Sequence, residues 1–177
     1  MDLTNHYFDL FRLPVAFAVD RRLLDERYLA LQRQFHPDRY VSRSAQEQHL
    51  AVRSAAAVNQ AYAVLCSPVK RAQYLLELQG LDSDDSNKTT SDREFLLEQM
   101  RLRESLLEVP DAADPFADLA DLEREIALAS DALEEEFAST YQAADLTGAK
   151  QTLVKMQFYG KLQAQLAALE EQLDEHN

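Results

Sequence analysis

The chain has 177 residues and a formal charge of −13, with 46% hydrophobic and 28% charged residues but only three Gly, five Pro and no Trp. So acidic a protein is repelled by phosphate backbones, which speaks against nucleic acid, and no apolar run approaches the roughly 20 residues that cross a bilayer, which speaks against membrane insertion. The single Cys66 leaves no internal disulfide and no cysteine metal cluster, and the scarcity of turn-forming residues points to an all-α fold.

The first predicted helix covers residues 4–12 and ends near Pro14, because the residue before a proline is pushed out of the helical region. Asn5-His6-Tyr7-Phe8 shows neither a cationic nor an apolar leader, so a cytoplasmic protein is expected. Asp20 caps the second helix, whose Leu24, Tyr28, Leu31 and Phe35 form one stripe while Arg22 and Arg33 occupy the other side with Arg27 at the flank. His36-Pro37 stops it. Ser44 and Glu47 make a capping box for a third helix running to about Leu65, with Ala51, Ala55, Val58, Tyr62 and Leu65 on one face. Ser67-Pro68 reads as N-cap and first position of a fourth helix that ends at Gly80.

Residues 82–91 contain no apolar side chain and are read as a linker between domains at 1–81 and 92–177. Charge divides at the same place, with +2 before the linker and −15 from residue 82 onward. Ser91 and Glu94 suggest a capping box for a helix reaching Val109. Asp114-Pro115 opens a long helix with Leu119, Leu122, Ile126, Leu133, Phe137 and Tyr141 as its buried stripe. A last helix starts between Asp145 and Gly148, with Phe158, Leu162, Leu166, Leu169 and Leu173 on one side. Three helices with short connections predict an antiparallel bundle.

At 100° per residue, the 92–109 helix puts Phe95, Leu102, Leu106 and Val109 on one face. Leu96, Leu97, Met100 and Leu107 fall on the opposite face, beside Glu104. One face serves the bundle, and the other is either sandwiched against a further helix or is an interaction patch.

His36-Pro37-Asp38 sits between two amphipathic helices. By itself the tripeptide fits a capped turn. As an acid–base pair it lacks a Ser, Cys or second carboxylate to complete a nucleophile constellation, so no enzyme is expected. His6, His36, His49 and His176 have no metal-ligand spacing, and neither metal nor cofactor is expected.

The tripeptide together with the basic helix before it, and Asn59-Gln60-Ala61-Tyr62 plus Leu65 after it, resembles the J-domain family. Tyr7-Phe8-Asp9-Leu10-Phe11, Arg71-Ala72-Gln73-Tyr74-Leu75-Leu76 and Phe95-Leu96-Leu97-Glu98-Gln99-Met100 extend the likeness to the HscB family over essentially the whole chain. That resemblance implies an N-terminal J-domain that stimulates a DnaK-class ATPase, HscA, and a C-terminal three-helix bundle that carries the iron–sulfur scaffold protein IscU to it. It implies ATPase-chaperone contacts at His36, Pro37, Asp38, Arg39, Arg27 and Arg33, and client contacts at Leu96, Leu97, Met100, Glu104 and Phe158, where Phe158 also fits the core stripe of its helix. Arg12 stands where these proteins often have Gly, and Arg101 where an acidic residue is common. The absence of cysteine pairs before the J-domain favours a bacterial protein, and a monomer is expected. A J-domain protein for an unrelated client and an acidic helical adaptor remain the alternatives.

Overall fold

The computed structural model describes residues 6–81 and 92–175, and the regular structure among them is helical throughout. The chain divides into two compact units, Met1–Gln79 and Gly80–Asn177. The expected linker 82–91 lies outside the described residues, as does His176.

The first unit holds α1 (Tyr7–Leu10), α2 (Arg21–Gln34), α3 (Ala45–Cys66) and α4 (Pro68–Leu78). Helix α1 starts behind the His6 cap, residues 4 and 5 of the expected span lying outside the described residues, and it ends at Leu10, short of residue 12, because Arg12 turns to φ +52° and lets the Leu13 N–H donate to the Phe8 carbonyl at 2.8 Å. The curl carries Phe8, Phe11, Leu13 and Phe17 into a core with Leu24, Val58, Leu65, Leu75 and Leu76. Asp20 caps α2 by accepting from the Leu23 N–H at 3.1 Å. Ser44 and Glu47 cap α3 reciprocally, and Gly80 takes φ +76° beyond α4, where a side chain would strain the backbone.

Helices α2 and α3 pack antiparallel through a polar ladder. Tyr28 stacks on Tyr62 with 3.8 Å between ring centroids. The Tyr62 hydroxyl donates to Asp25 at 2.9 Å and accepts from Arg21 at 3.1 Å, while Gln32 and the Tyr28 hydroxyl donate to Asn59. The bond to Asp25, with burial, pushes the Tyr62 phenol up to about 12. From α4, buried Arg71 donates to the Leu65 carbonyl at 2.6 Å and lies over the Phe17 ring at 4.7 Å, fastening α4 to the end of α3.

The second unit is an antiparallel three-helix bundle of α5 (Arg93–Glu108), α6 (Pro115–Gln142) and α7 (Leu146–Glu175). Helix α5 is capped by Asp92, whose carboxylate accepts from the Phe95 N–H at 3.1 Å; the expected Ser91 cap lies outside the described residues. Leu119, Leu122, Ile126, Leu133 and Phe137 of α6 are buried, as are Leu153, Met156, Leu162 and Leu166 of α7. Tyr141, Leu169 and Leu173 are half-buried. Helix α6 ends in a left-handed turn at Ala144, φ +58°, with Ala144 N–H to Tyr141 at 3.1 Å and Asp145 N–H to Thr140 at 2.9 Å.

Candidate partner-binding sites

In the first unit, the segment after α2 is a short 3-10 turn, Pro37–Tyr40, rather than an open loop. Proline fixes the first dihedral of this turn, and His36 Nδ1 accepts from the Asp38 N–H at 3.3 Å. Two further bonds hold the turn to the end of α2: Arg39 donates to the Arg33 carbonyl at 3.3 Å and the Tyr40 hydroxyl to the Gln34 carbonyl at 3.3 Å. The Asp38 carboxylate projects from this rigid base with its side chain 86% exposed.

Positions 22, 26, 29 and 33 fall within one stripe of α2, so Arg22, Glu26, Leu29 and Arg33 share an exposed face leading to His36 and Asp38. Leu29 is 53% exposed among charges. The i, i+3, i+4 spacing of that face was the available signal for Leu29, and only its arginines were singled out from sequence. Arg27 is oriented differently from the expectation. It is half-buried and donates to the carbonyls of Phe11 and Arg12 at 2.6 and 2.5 Å, holding the turn after α1. A guanidinium committed to backbone in this way is an anchor of the fold, separate from the exposed stripe.

In the second unit, α5 sorts its apolar residues into two opposed faces. Phe95, Leu102 and Val109 are buried against α6 and α7, whereas Leu97 is 57%, Met100 68% and Leu107 77% exposed. Leu96 is half-buried and Glu104 exposed on the same outward side. Phe158 lies beneath this face and not on it. Only 8% of it is exposed, its ring meets Phe95 edge-on at 5.5 Å, and the Arg103 guanidinium covers it at 5.5 Å.

Polar ties flank α5 on both sides. Lys155 of α7 pairs with Asp92 at 2.9 Å and holds that carboxyl below its usual range. Arg101 takes Glu98 on its own helix and Glu125 on α6, and keeps the Glu98 carboxyl low by the same charge-assisted bonding. Among the described residues no group of three metal-ligating side chains converges, and no helix is long and apolar enough to cross a membrane.

Known proteins share much of this sequence and this pair of units. Residues 91–167 match the family model described as the HSCB C-terminal oligomerisation domain. A co-chaperone protein HscB homolog from Photobacterium profundum is 36% identical over 167 residues, spanning 94% of this chain and 97% of the relative. The chain belongs to the HscB co-chaperone family. Solved structures agree with that membership. Chaperone HscB from Vibrio cholerae superposes with a TM-score of 0.84 at 35% identity, over 96% of this chain and 99% of that one. The human co-chaperone protein HscB does so with a TM-score of 0.88 at 30% identity, over 96% and 84%. In this HscB-family chain the helical hairpin with its flanking short helices is therefore the J-domain, and the second unit is the C-terminal three-helix bundle.

Proposed function

We propose that the protein is a bacterial, cytoplasmic, monomeric co-chaperone without enzymatic activity of its own. Its residues 1–81 stimulate the ATPase of a DnaK-class chaperone resembling HscA, and its residues 92–177 deliver an IscU-like iron–sulfur scaffold protein to that chaperone, with 82–91 as the linker. The observation that carries the reading is the presence, in one small chain, of two exposed surfaces that the fold itself does not need. One is an exposed carboxylate on a hydrogen-bonded turn at the end of a stripe that carries Arg22 and Arg33, and the other an apolar helix face turned to solvent.

On the chaperone side, His36, Pro37, Asp38, Arg39 and Arg33 form the docking edge, and Arg27 contributes by holding the domain's first turn. A carboxylate on a rigid base is suited to charge-assisted, geometrically selective bonds with a partner guanidinium. The flanking arginines accelerate encounter with an acidic surface. On the client side, Leu96, Leu97 and Met100 supply apolar anchors, Glu104 edges them with charge, and Phe158 supports the helix from below through Phe95. Neither surface holds a nucleophile beside a base, so the work done is binding.

The test is steady-state ATP turnover by a DnaK-class chaperone with and without this protein, in the presence and absence of the scaffold protein. Stimulation that the scaffold enhances supports the reading, and an unchanged turnover overturns it. A second reading, self-association through the α5 face, is favoured by the description of the matched family model as an oligomerisation domain. Sedimentation at increasing concentration distinguishes the two, since a dimer closed over Leu97 and Met100 competes with the scaffold.

A further inference from the structure

Helix α5 is lightly buried for its length. Over its 16 residues only Phe95 and Leu102 are buried, with Val109 just beyond its end, whereas α6 buries five residues over 28 and α7 eight over 30. A helix with so few apolar anchors depends on its polar ties for register and tilt, and one of these ties is of an unusually directional kind. The Arg101 guanidinium meets Glu98 in a two-pronged contact, Nε to Oε2 at 2.9 Å and Nη2 to Oε1 at 2.6 Å. The same group reaches across to α6, where Nη1 donates to Glu125 Oε2 at 3.4 Å and Nη2 to Glu125 Oε1. Isolated surface ion pairs contribute little, but a planar fork gripped by two carboxylates is the geometry in which such pairs do count.

We propose that Arg101 is a positioning residue that clamps α5 to α6 and so sets the presentation of Leu97, Met100 and Glu104 to a partner, without touching that partner itself. The clamp has an electrostatic corollary. One guanidinium between two carboxylates leaves this edge of the face with net negative charge despite the arginine, which suits a partner that is basic around its apolar contact. The idea rests on the reading of α5 as the client surface, and its test has one arm that does not.

The experiment compares the full-length protein with Arg101→Glu, Glu125→Arg and the combined swap, by amide hydrogen exchange along α5 and by calorimetric titration with the iron–sulfur scaffold protein. Arg101→Glu gathers three carboxylates and is expected to speed α5 exchange and weaken scaffold binding, each by about tenfold. The swap rebuilds one guanidinium, now at position 125, between carboxylates at 98 and 101, and is expected to restore both readouts to within about threefold. Unchanged exchange in Arg101→Glu overturns the clamp. Restored exchange without restored affinity overturns the positioning role, because Arg101 must then touch the partner. Should the wild-type protein not bind the scaffold, the client reading falls, and the clamp stands or falls on the exchange arm.

Discussion

The two surfaces solve the problem of exposure in opposite ways. The J-domain edge is mainly charged, with Leu29 among its charges, and is mounted on a stiff support: a tyrosine stack, a prolyl turn and backbone-directed arginine and tyrosine bonds hold it. The α5 face is apolar and mounted on a helix with few buried anchors, tied at its margins by ion pairs. A charged edge remains soluble while unoccupied and acts mainly on encounter rate, whereas an apolar face exposed to water gains its free energy only when covered. The comparison predicts that damage to the first is read in turnover and salt dependence, and damage to the second in affinity.

The largest expected effect is at Asp38. Asp38→Asn removes the charge while keeping the shape, and it should abolish most of the ATPase stimulation while the circular dichroism spectrum, thermal melt and scaffold affinity stay as in the wild type. His36→Ala should act alike on turnover, with a stability cost of about 0.5 to 2 kcal/mol because it removes the acceptor of the Asp38 N–H that caps the turn. A folded His36→Ala, Asp38→Asn protein that still stimulates the ATPase would sink the assignment of this edge.

On α5 the two faces should separate cleanly. Leu97→Ala and Met100→Ala are expected to cost about 2 kcal/mol of scaffold binding, roughly thirtyfold, with little change in melting. Leu102→Ala is expected to cost about 2 to 5 kcal/mol of stability and Phe158→Ala about 3 to 5, because both leave cavities. Calorimetric titration and thermal melts on the four variants give this crossed pattern; a large drop in melting temperature at Leu97 or Met100 contradicts it.

Much of this was legible in sequence, for reasons that differ by residue. The opposed faces of α5 follow from helical periodicity alone, and the Ser44–Glu47 cap and the Ser67-Pro68 start are local signals that the structure realises as written. What was not legible depends on contacts distant in sequence. Asp92 caps α5 while Lys155, 63 positions away, holds its other oxygen, a preference no local pattern discloses. Arg27 looked like a flank of the basic stripe because its carbonyl partners at Phe11 and Arg12 are presented by the left-handed turn at Arg12, for which the only sequence signal was the resemblance that often has Gly there. Phe158 satisfied both a core and a surface reading by spacing, and only its burial under Arg103 decides.

Arginines on α2 sharpen the encounter-rate half of the comparison. Stimulation at subsaturating protein should weaken as salt rises toward physiological strength, where the Debye length is about 8 Å, and Arg22→Glu with Arg33→Glu should flatten that dependence. Arg27→Ala should behave differently: a stability loss of about 1 to 3 kcal/mol from its carbonyl bonds, seen in the melt, with the salt slope kept.

The ties of α5 give the comparison a pH dependence. Glu98 and Asp92 have their carboxyls lowered by Arg101 and Lys155, so their contribution is fully present above the ordinary carboxylate range and is lost as pH falls through the lowered values. Protection factors of the amides along α5, taken relative to the slower intrinsic exchange in acid, should therefore fall below about pH 4 before those of the rest of the bundle. Simultaneous opening of all three helices contradicts the view of α5 as the separately tied element.

The smallest expected effect lies at the end of α6, and it tests whether the bundle's long hairpin is the stable frame on which α5 rides. Ala144 sits at φ +58°, closing the helix with its own N–H on the Tyr141 carbonyl and that of Asp145 on the Thr140 carbonyl. This is the arrangement in which glycine is ordinarily found, because a Cβ there crowds the following carbonyl at a cost of about 1 to 2 kcal/mol. Ala144→Gly relieves that crowding but widens the unfolded ensemble by up to about 1 kcal/mol, so the expected net gain is about 0.5 to 1 kcal/mol. Thermal melting should rise by a few degrees at most, with scaffold affinity and ATPase stimulation unchanged, since residue 144 touches neither surface. Arg12→Gly, at φ +52°, applies the same relief in the J-domain. If Ala144→Gly also slows amide exchange along α5, the two elements open together, and the picture of a lightly held helix on a separate rigid hairpin has to be given up.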